Sequence, residues 1–184
     1  MSFNDETFIK EFTEIVTGLN IKSALETGHG SGELVTALRE AGIDARGIDQ
    51  STELLRVAPG PHFITMPLEK FISKKKFDLV YSSGVLEHYA GAGDVEFIRQ
   101  MAALSKKYVL NFVPNADCAA YRGAKKRTKA PWKDEKDYTV DSLKAIHEAA
   151  DLKVIEAGMV GGAWAKRWGP EPSLPYLVYV IAVK

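Results

Sequence analysis

The chain has 184 residues, 46% of them hydrophobic, which suits a single domain with a substantial core and argues against a disordered protein. Its 24 basic and 24 acidic residues balance, whereas dedicated nucleic-acid-binding proteins usually carry a marked basic excess. The single cysteine, Cys118, excludes an internal disulfide and a thiol-rich metal site. With no signal peptide or membrane-spanning run predicted, a cytoplasmic location is expected.

The first predicted element is an amphipathic helix over residues 4–18, where Phe8, Phe12 and either Ile15 or Val16 recur at helical spacing. Asn4 is a plausible cap for this helix. The helix is a possible lid, with packing against a sheet as the default. Further helices are predicted at 32–42, 51–58, 94–105 and 139–150, the last with Thr139 or Asp141 as its cap. Strands are predicted at 21–27, 43–49, 62–66, 77–83, 107–113, 152–158 and 176–183.

Strands and helices alternate through most of the chain, which predicts βαβ units and a parallel sheet covered by helices on both faces. The whole chain, residues 1–184, is predicted to be one domain. Two segments, 114–138 and 158–175, are left as long loops because they are rich in polar residues, Gly and Pro. Both contain aromatic residues, which favours an ordered role on the substrate side.

A glycine-rich loop, within the stretch LETGHGSGEL, follows the first predicted strand and opens the next helix. Gly28, Gly30 and Gly32 let the backbone and the helix N-terminus approach a ligand closely. The spacing G-x-G-x-G differs from the dinucleotide fingerprint G-x-G-x-x-G. Glu26 and Glu33 flank the loop without a nearby basic residue, which disfavours a pyrophosphate and favours a ligand with positive charge.

A second acid, Asp49, ends the second predicted strand, 23 residues after Glu26. A carboxylate at this place in a nucleotide-binding sheet typically accepts hydrogen bonds from both hydroxyls of a ribose. The glycine loop and Asp49 together therefore predict a nucleoside site at the carboxyl ends of the strands.

The stretches ALETGHGSG, GIDQS and FDLVYSSGVLEH resemble signatures of class I S-adenosylmethionine-dependent methyltransferases, and this resemblance covers about residues 21–113. The later stretch YTVDSLKAIHEAADLKVIEAG resembles the ending of the small-molecule members. The resemblance implies a Rossmann-like, doubly wound, seven-stranded, mostly parallel sheet with a final antiparallel strand. It also implies S-adenosylmethionine as cofactor, S-adenosylhomocysteine as product, and in-line methyl transfer to O, N or C of a small molecule.

The resemblance further implies a set of cofactor contacts. Glu26 would contact the amino-acid end, Asp49 the ribose, and Gln50 would lie beside the adenine. His29 would cover the methionine end, with an exposed loop histidine as the alternative. The complete predicted set is Glu26, Thr27, Gly28, His29, Gly30, Gly32, Asp49, Gln50, Met66, Leu68, Ser82, Ser83 and Gly84.

The acceptor side is predicted from the residues after the fourth strand and from aromatic residues in the two long loops. His88, in the motif LEH, is the candidate base, and the alternative is a histidine that only orders the loop by local hydrogen bonds. Aromatic side chains over the sheet edge could enclose an acceptor. The predicted substrate-binding residues are Tyr89, Tyr121, Trp132, Tyr138 and Trp164.

Several alternatives stay open. The fourth strand ends in SSGV and lacks the N/D-P-P-Y/F motif of enzymes that methylate amino groups of nucleic acids. Asn111, Asn115 and Asp117 form only a thin version of the cluster used by metal-dependent members, so no metal is predicted. The basic run 124–129 could contact RNA, although a solvated loop is favoured. An RNA or protein methyltransferase, and a non-catalytic cofactor-binding or interaction domain, are the alternative functions; the chain could be a monomer or a homodimer.

Overall fold

The structure, a computed structural model, describes residues 6–53, 58, 60–89, 91, 93–127, 135–168 and 174–184. These residues form seven strands and six α-helices, with short 3-10 helices at Leu68–Lys70 and Leu86–His88. The strands are β1 Ser23–Thr27, β2 Asp44–Asp49, β3 Phe63–Thr65, β4 Phe77–Ser83, β5 Ser105–Pro114, β6 Lys153–Val160 and β7 Leu177–Val183. The helices are α1 Glu6–Gly18, α2 Glu33–Glu40, α3 Gly93–Leu104, α4 Ala119–Arg127, α5 Val140–Ala149 and α6 Gly162–Trp168.

The strands form one sheet in the order β3-β2-β1-β4-β5-β7-β6. All neighbours from β3 to β5 are parallel, and β7 runs antiparallel to both β5 and β6. The predicted fold, including the final antiparallel strand, is therefore confirmed. The order reverses direction between β1 and β4, and ligands bind beyond the carboxyl ends of the strands at such a switch point.

Helices cover both faces of the sheet, and each face has its own apolar core. Residues of α1 and α2 pack on one face, and residues of α3 and α5 pack on the other. β1 and β4 lie between these layers, so β1 is buried along its whole length and most of β4 is buried, and the sequence of β4 is largely apolar. No helix among the described residues is long and apolar enough to cross a membrane.

Helix α1 packs against the sheet through its apolar face. Phe8, Phe12 and Val16 are fully buried, and the Phe12 ring lies 5.1 Å from the ring of Tyr81. The Gly161 amide donates a 2.8 Å hydrogen bond to Glu11 Oε2 and ties the helix to the loop after β6. The apolar face of α1 therefore packs against the sheet, as in the default prediction. The burial of this face gives no support to a mobile lid.

Helices α4 and α6 occupy parts of the two segments that we predicted as loops. The apolar contact that involves these two helices is small. Its buried residues are Cys118, Ala120, Tyr121 and Ala165. The sequence AAYRGAKKR of α4 is strongly polar with a glycine at its centre, so it shows little apolar periodicity. Short helices held by a few tertiary contacts give a weak signal in sequence.

The N-terminus of α5 is capped as predicted. Thr139 is the cap, and its hydroxyl accepts from the Ser142 amide while the Ser142 hydroxyl accepts from the Thr139 amide. The alternative cap, Asp141, lies inside the first turn. The predicted cap Asn4 and residues 54–57 of the predicted helix 51–58 lie outside the described residues.

Candidate functional site

A cavity of about 770 Å³ opens at the carboxyl ends of β1, β2 and β4 and extends to the end of β5. Among the described residues that line it there are five carboxylic acids and neither a lysine nor an arginine. The acids are Glu26, Asp49, Glu69, Glu87 and Glu135. This composition favours a ligand that carries positive charge.

The glycine loop between β1 and α2 is held in a left-handed conformation. Gly28, Gly30 and Gly32 have φ angles of 78°, 52° and 79°. The Gly28 and His29 amides both donate to the Ile48 carbonyl, at 2.7 and 3.2 Å, and fix the loop to β2. A Cβ on Gly28 would lie 2.4 Å from Val85 Cγ2, so this wall of the cavity admits no side chain.

Gly32 does not line the cavity, in contrast to its predicted role. It caps α2, and a Cβ at this position would lie 2.6 Å from the Phe63 ring and 3.0 Å from Ala58 Cβ. A glycine is therefore required at this position, both for the turn and for the packing of α2 against β3.

Asp49 at the end of β2 is linked directly to the glycine loop. Its Oδ2 accepts from the Gly30 amide at 3.2 Å, and its Oδ1 accepts from the Ser51 amide at 2.9 Å. These two bonds orient the carboxylate, which lines the cavity beside Gln50. The glycine loop and the end of β2, which are separated in sequence, thus form one wall of the cavity.

Glu26 lies at the end of β1 and is 2% exposed. Burial raises the pKa of its carboxyl well above the usual value, and the charges of Asp49 and Glu33 add to the rise. The Tyr81 hydroxyl, which donates to Glu26 Oε2 at 3.3 Å, opposes this effect. A cationic group in the cavity would stabilise the ionised form of Glu26.

His29 is buried, so the alternative of an exposed loop histidine is wrong. Its ring lies 4.9 Å from the Phe63 ring, and its Nδ1 is 2.9 Å from the Gly30 carbonyl oxygen. Gly47 makes room for it, because a Cβ there would lie 2.6 Å from His29 Cβ. Burial lowers the pKa of His29, so the imidazole lines the cavity in its neutral form at neutral pH.

At the end of β4, Ser83 and Gly84 line the cavity, whereas Ser82 does not. Ser82 is fully buried, and its hydroxyl oxygen lies 2.7 Å from Asn111 Nδ2. Successive side chains of a strand point to opposite faces, so Ser82 and Ser83 cannot both face the same site with their side chains. Of the two predicted serines, Ser83 therefore lines the cavity, and a backbone contact of Ser82 or Ser83 with the cofactor stays a prediction.

The amide and acid residues considered for a metal are engaged within the fold. Asn111 also contacts His147 Nε2 at 2.8 Å, and Asn115 donates to the Pro175 carbonyl at 2.9 Å. The Asp117 amide in turn donates to Asn115 Oδ1. Among the described residues, no group of three or more His, Cys, Asp or Glu side chains is arranged to hold a metal ion.

The predicted acceptor residues divide into three groups. His88, Tyr89 and Tyr121 line the cavity. Tyr138 does not, because its side chain is fully buried and its hydroxyl donates to Asp94 Oδ2 at 3.1 Å. Trp132 and the side chain of Trp164 lie outside the described residues.

Several lining residues were not predicted from the sequence: Phe97, Pro114, Tyr176 and Leu177, together with the acids Glu69, Glu87 and Glu135. The position of Glu87 next to His88 in the LEH motif was the sequence signal that could have identified Glu87 as a lining residue. Glu135 comes from the segment after α4, and its Oε1 lies 3.7 Å from His88 Nδ1. Burial lowers the pKa of His88 and raises the pKa of Glu135.

Comparison with known proteins agrees with this geometry. A sequence model of the methyltransferase domain family matches residues 6–157. A search of curated protein sequences gives no significant match. Solved structures nevertheless share the fold at low sequence identity.

The similar structures include three methyltransferases. Magnesium protoporphyrin IX methyltransferase from Synechocystis PCC 6803, with bound SAM, has a TM-score of 0.68 and 17% identity over 96% of this chain and 77% of that chain. A SAM-dependent methyltransferase from Archaeoglobus fulgidus has a TM-score of 0.72 and 15% identity, covering 96% and 94%. The 1,6-didemethyltoxoflavin-N1-methyltransferase of Burkholderia thailandensis, with bound 1,6-didemethyltoxoflavin and S-adenosylhomocysteine, has a TM-score of 0.72 and 16% identity, covering 98% and 79%. Because the family match spans most of its length, this chain belongs to the methyltransferase domain family, and its fold is that of the class I S-adenosylmethionine-dependent methyltransferases.

Proposed function

We propose that this chain binds S-adenosylmethionine at the glycine loop and transfers the methyl group to O, N or C of a small-molecule acceptor by in-line displacement. The observation that carries the proposal is the lining of the cavity, which combines a side-chain-free glycine wall with five acids and neither lysine nor arginine among the described residues. A sulfonium and an ammonium group are stabilised by such surroundings, whereas a pyrophosphate is repelled.

The residues at one end of the cavity fit this cofactor. Asp49, oriented by two backbone amides, would accept hydrogen bonds from the ribose hydroxyls. Glu26 would face the amino-acid end, where a positive charge compensates its burial. Gln50, Met66 and Leu68 would surround the adenine. When bound, S-adenosylmethionine supplies an activated methyl group and a neutral thioether as leaving group.

The chain's own contribution is alignment and exclusion of water. Gly28 and Val85 form a close-packed wall that fixes the position of a ligand between β1 and β4. His88 is a candidate base because burial lowers its pKa, so its imidazole can accept a proton at neutral pH. The alternative, a histidine that only orders the loop, is tested by His88→Ala: full turnover across the pH range would show that His88 is structural.

A small-molecule acceptor is favoured over RNA or protein. Lys125 of the basic run is not presented to a phosphate, because its Nζ contacts Asp137 Oδ1 at 2.6 Å and donates to the Glu135 carbonyl. The acceptor end is walled by Tyr121, Tyr176 and Leu177, which suits a compact apolar group. Two of the similar structures are named for small substrates, a porphyrin and a toxoflavin precursor.

Calorimetry with S-adenosylhomocysteine and NAD⁺ tests the cofactor assignment. We expect binding of S-adenosylhomocysteine and none of NAD⁺; the reverse order of affinity would refute the proposal. Transfer of labelled methyl groups from S-adenosylmethionine then tests the acceptor class, with the low-molecular-weight fraction of a cell extract compared with its RNA and protein fractions. Label that enters only RNA, in a salt-sensitive manner, would favour the alternative.

A further inference from the structure

Glu87 is a buried acid whose position the cofactor site does not explain. It lies in the 3-10 helix Leu86–His88 that follows β4, and it is 4% exposed while still lining the cavity. Its Oε1 lies 3.5 Å from the place where a Cβ of Gly84 would stand, so the carboxyl group faces the end of β4. Its Oε2 has no hydrogen-bond partner among the described residues. An unpaired, buried polar atom of this kind is costly unless a ligand satisfies it.

A second acid stands beside Glu87. The Lys136 amide donates to the Glu87 carbonyl at 2.8 Å, which places Glu135 against the 3-10 helix. Glu135 is 8% exposed and lines the same end of the cavity. Its negative charge opposes ionisation of Glu87. Two carboxyl groups therefore share one end of the cavity.

The nearby cations are committed to other groups. Lys125 of α4 pairs with Asp137, and Lys136 pairs with Asp94 of α3. The charge of Lys125 also acts on Glu135, where it partly offsets the rise in pKa that burial causes. His88 on the same 3-10 helix is kept neutral at neutral pH, because burial lowers its pKa. The phenols of Tyr121, Tyr138 and Tyr176 around this region have raised pKa values and stay neutral. Burial raises the pKa of Glu87 to about 8, with Glu135 adding to the rise.

Aromatic rings complete the walls of this end. Tyr121 and Tyr176 both line the cavity, and their rings meet edge to face with centroids 5.8 Å apart. Aromatic faces and buried carboxylates are the two groups that bind organic ammonium ions in proteins. An anionic acceptor, such as a carboxylate, would find no lysine or arginine among the described lining residues and would be repelled by either acid in its ionised form.

We infer that the methyl acceptor is the nitrogen of an amine attached to an apolar or aromatic group, and that Glu87, supported by Glu135, binds this nitrogen and receives its proton. His88 then has the alternative role of ordering the loop. This inference rests on the proposed function and specifies its acceptor class. The ammonium group donates a hydrogen bond to Glu87 Oε2 and passes its proton to the carboxylate. The freed lone pair forms the N–C bond, and the C–S bond breaks with its electron pair moving to sulfur. Glu87 then releases this proton to solvent. The net reaction transfers one methyl group to nitrogen and releases one proton.

Calorimetry on the protein saturated with S-adenosylhomocysteine tests the acceptor site. The probes are phenethylammonium and its neutral counterpart 2-phenylethanol, titrated near neutral pH in phosphate and in HEPES, whose ionisation enthalpies differ. We expect the amine to bind at least about tenfold more tightly than the alcohol, as a hydrogen bond to a charged group requires. We also expect about one proton to be released, because the bound ammonium drives protonated Glu87 to ionise.

Glu87→Gln should abolish both the preference for the amine and the proton release, and Glu135→Gln should weaken the preference. Glu148→Gln, on the exposed side of α5, is the matched control and should change neither. Unchanged affinity for S-adenosylhomocysteine shows that each variant is folded. An amine that binds no better than the alcohol, or proton release that persists in Glu87→Gln, overturns the inference and leaves the proposed function standing. If S-adenosylhomocysteine does not bind, the proposed function fails, and the same titrations on the free protein decide the amine site.

Discussion

A buried histidine behind the site gives the fold a pH dependence that can be worked out from the structure. His147 in α5 is fully buried; its Nδ1 lies 2.8 Å from the Leu143 carbonyl oxygen, and its Nε2 contacts the Asn111 side chain at 2.8 Å. Asn111 in turn contacts Ser82. Burial lowers the pKa of His147 to about 4, even though the contact with Leu143 acts in the opposite direction.

The direction of this pH dependence follows from comparing proton binding in the unfolded and folded chains. The unfolded chain binds a proton on this imidazole near its ordinary pKa of 6.5, and the folded chain binds one only near pH 4. The unfolded state therefore holds more protons between these values, and the free energy of unfolding falls as the pH falls from 6.5 to 4. From about pH 7.5 to about pH 5 the expected loss is about 2 kcal/mol, rising to about 3 kcal/mol near the folded pKa.

Urea unfolding followed by circular dichroism at both pH values measures this loss. Burial also lowers the pKa of His29 and His88, so the informative quantity is the difference between the wild type and His147→Gln. We expect the variant to lose about 2 kcal/mol less than the wild type on acidification. His62→Gln, which removes a partly exposed histidine, is the control. Equal losses in the wild type and His147→Gln would refute the reasoning.

Three further predictions concern the site and the core. Asp49→Ala should weaken S-adenosylhomocysteine binding in calorimetry by roughly 1.5–3 kcal/mol, the range for hydrogen bonds to a charged group, and unchanged affinity would contradict the ribose assignment. Gly28→Ala should lower the free energy of unfolding by more than about 1–2 kcal/mol, because left-handed strain adds to the contact with Val85; the second substitution Val85→Ala should recover only the contact part, and full recovery would show that backbone strain is absent. Phe12→Ala should cost about 3–5 kcal/mol in urea unfolding if α1 is part of the core, whereas a detachable lid would leave stability nearly unchanged.

The parts of the fold that could be predicted from the sequence are those with local causes. The largely apolar run 77–83 predicted β4 with its observed bounds, because a strand covered on both faces buries most of its side chains. The three glycines predicted a loop whose backbone a ligand can approach closely, and the structure adds that all three have positive φ, a conformation that favours glycine. The sequence also predicted that Asp49 lies at the ligand site, because Asp49 ends a strand and the carboxyl ends of parallel strands meet at one edge of the sheet.

The parts that could not be predicted depend on contacts between distant segments. Because β4 is buried on both faces, its sequence alone did not show which of Ser82 and Ser83 faces the cavity, and the Asn111 contact settles it. Tyr138 was grouped with the acceptor residues because it is an aromatic residue in a predicted loop, but its buried hydroxyl donates a hydrogen bond to Asp94 of α3. Glu135 lies at the cavity next to two contacts between distant segments, from the Lys136 amide to the Glu87 carbonyl and from Lys125 Nζ to the Glu135 carbonyl.

The acids of the cavity would repel one another if all were ionised, and the structure limits this repulsion by burial. Burial raises the pKa of Glu26 at one end and of Glu87 at the other. Asp49 accepts hydrogen bonds from two backbone amides. The buried acids are thus the ones that give up protons when a cation binds beside them, and the hydrogen-bonded acid is the one that remains available to neutral hydroxyl groups. With this division, a cavity without lysine or arginine among its described residues would accommodate both the ribose and the positive charge of the proposed cofactor.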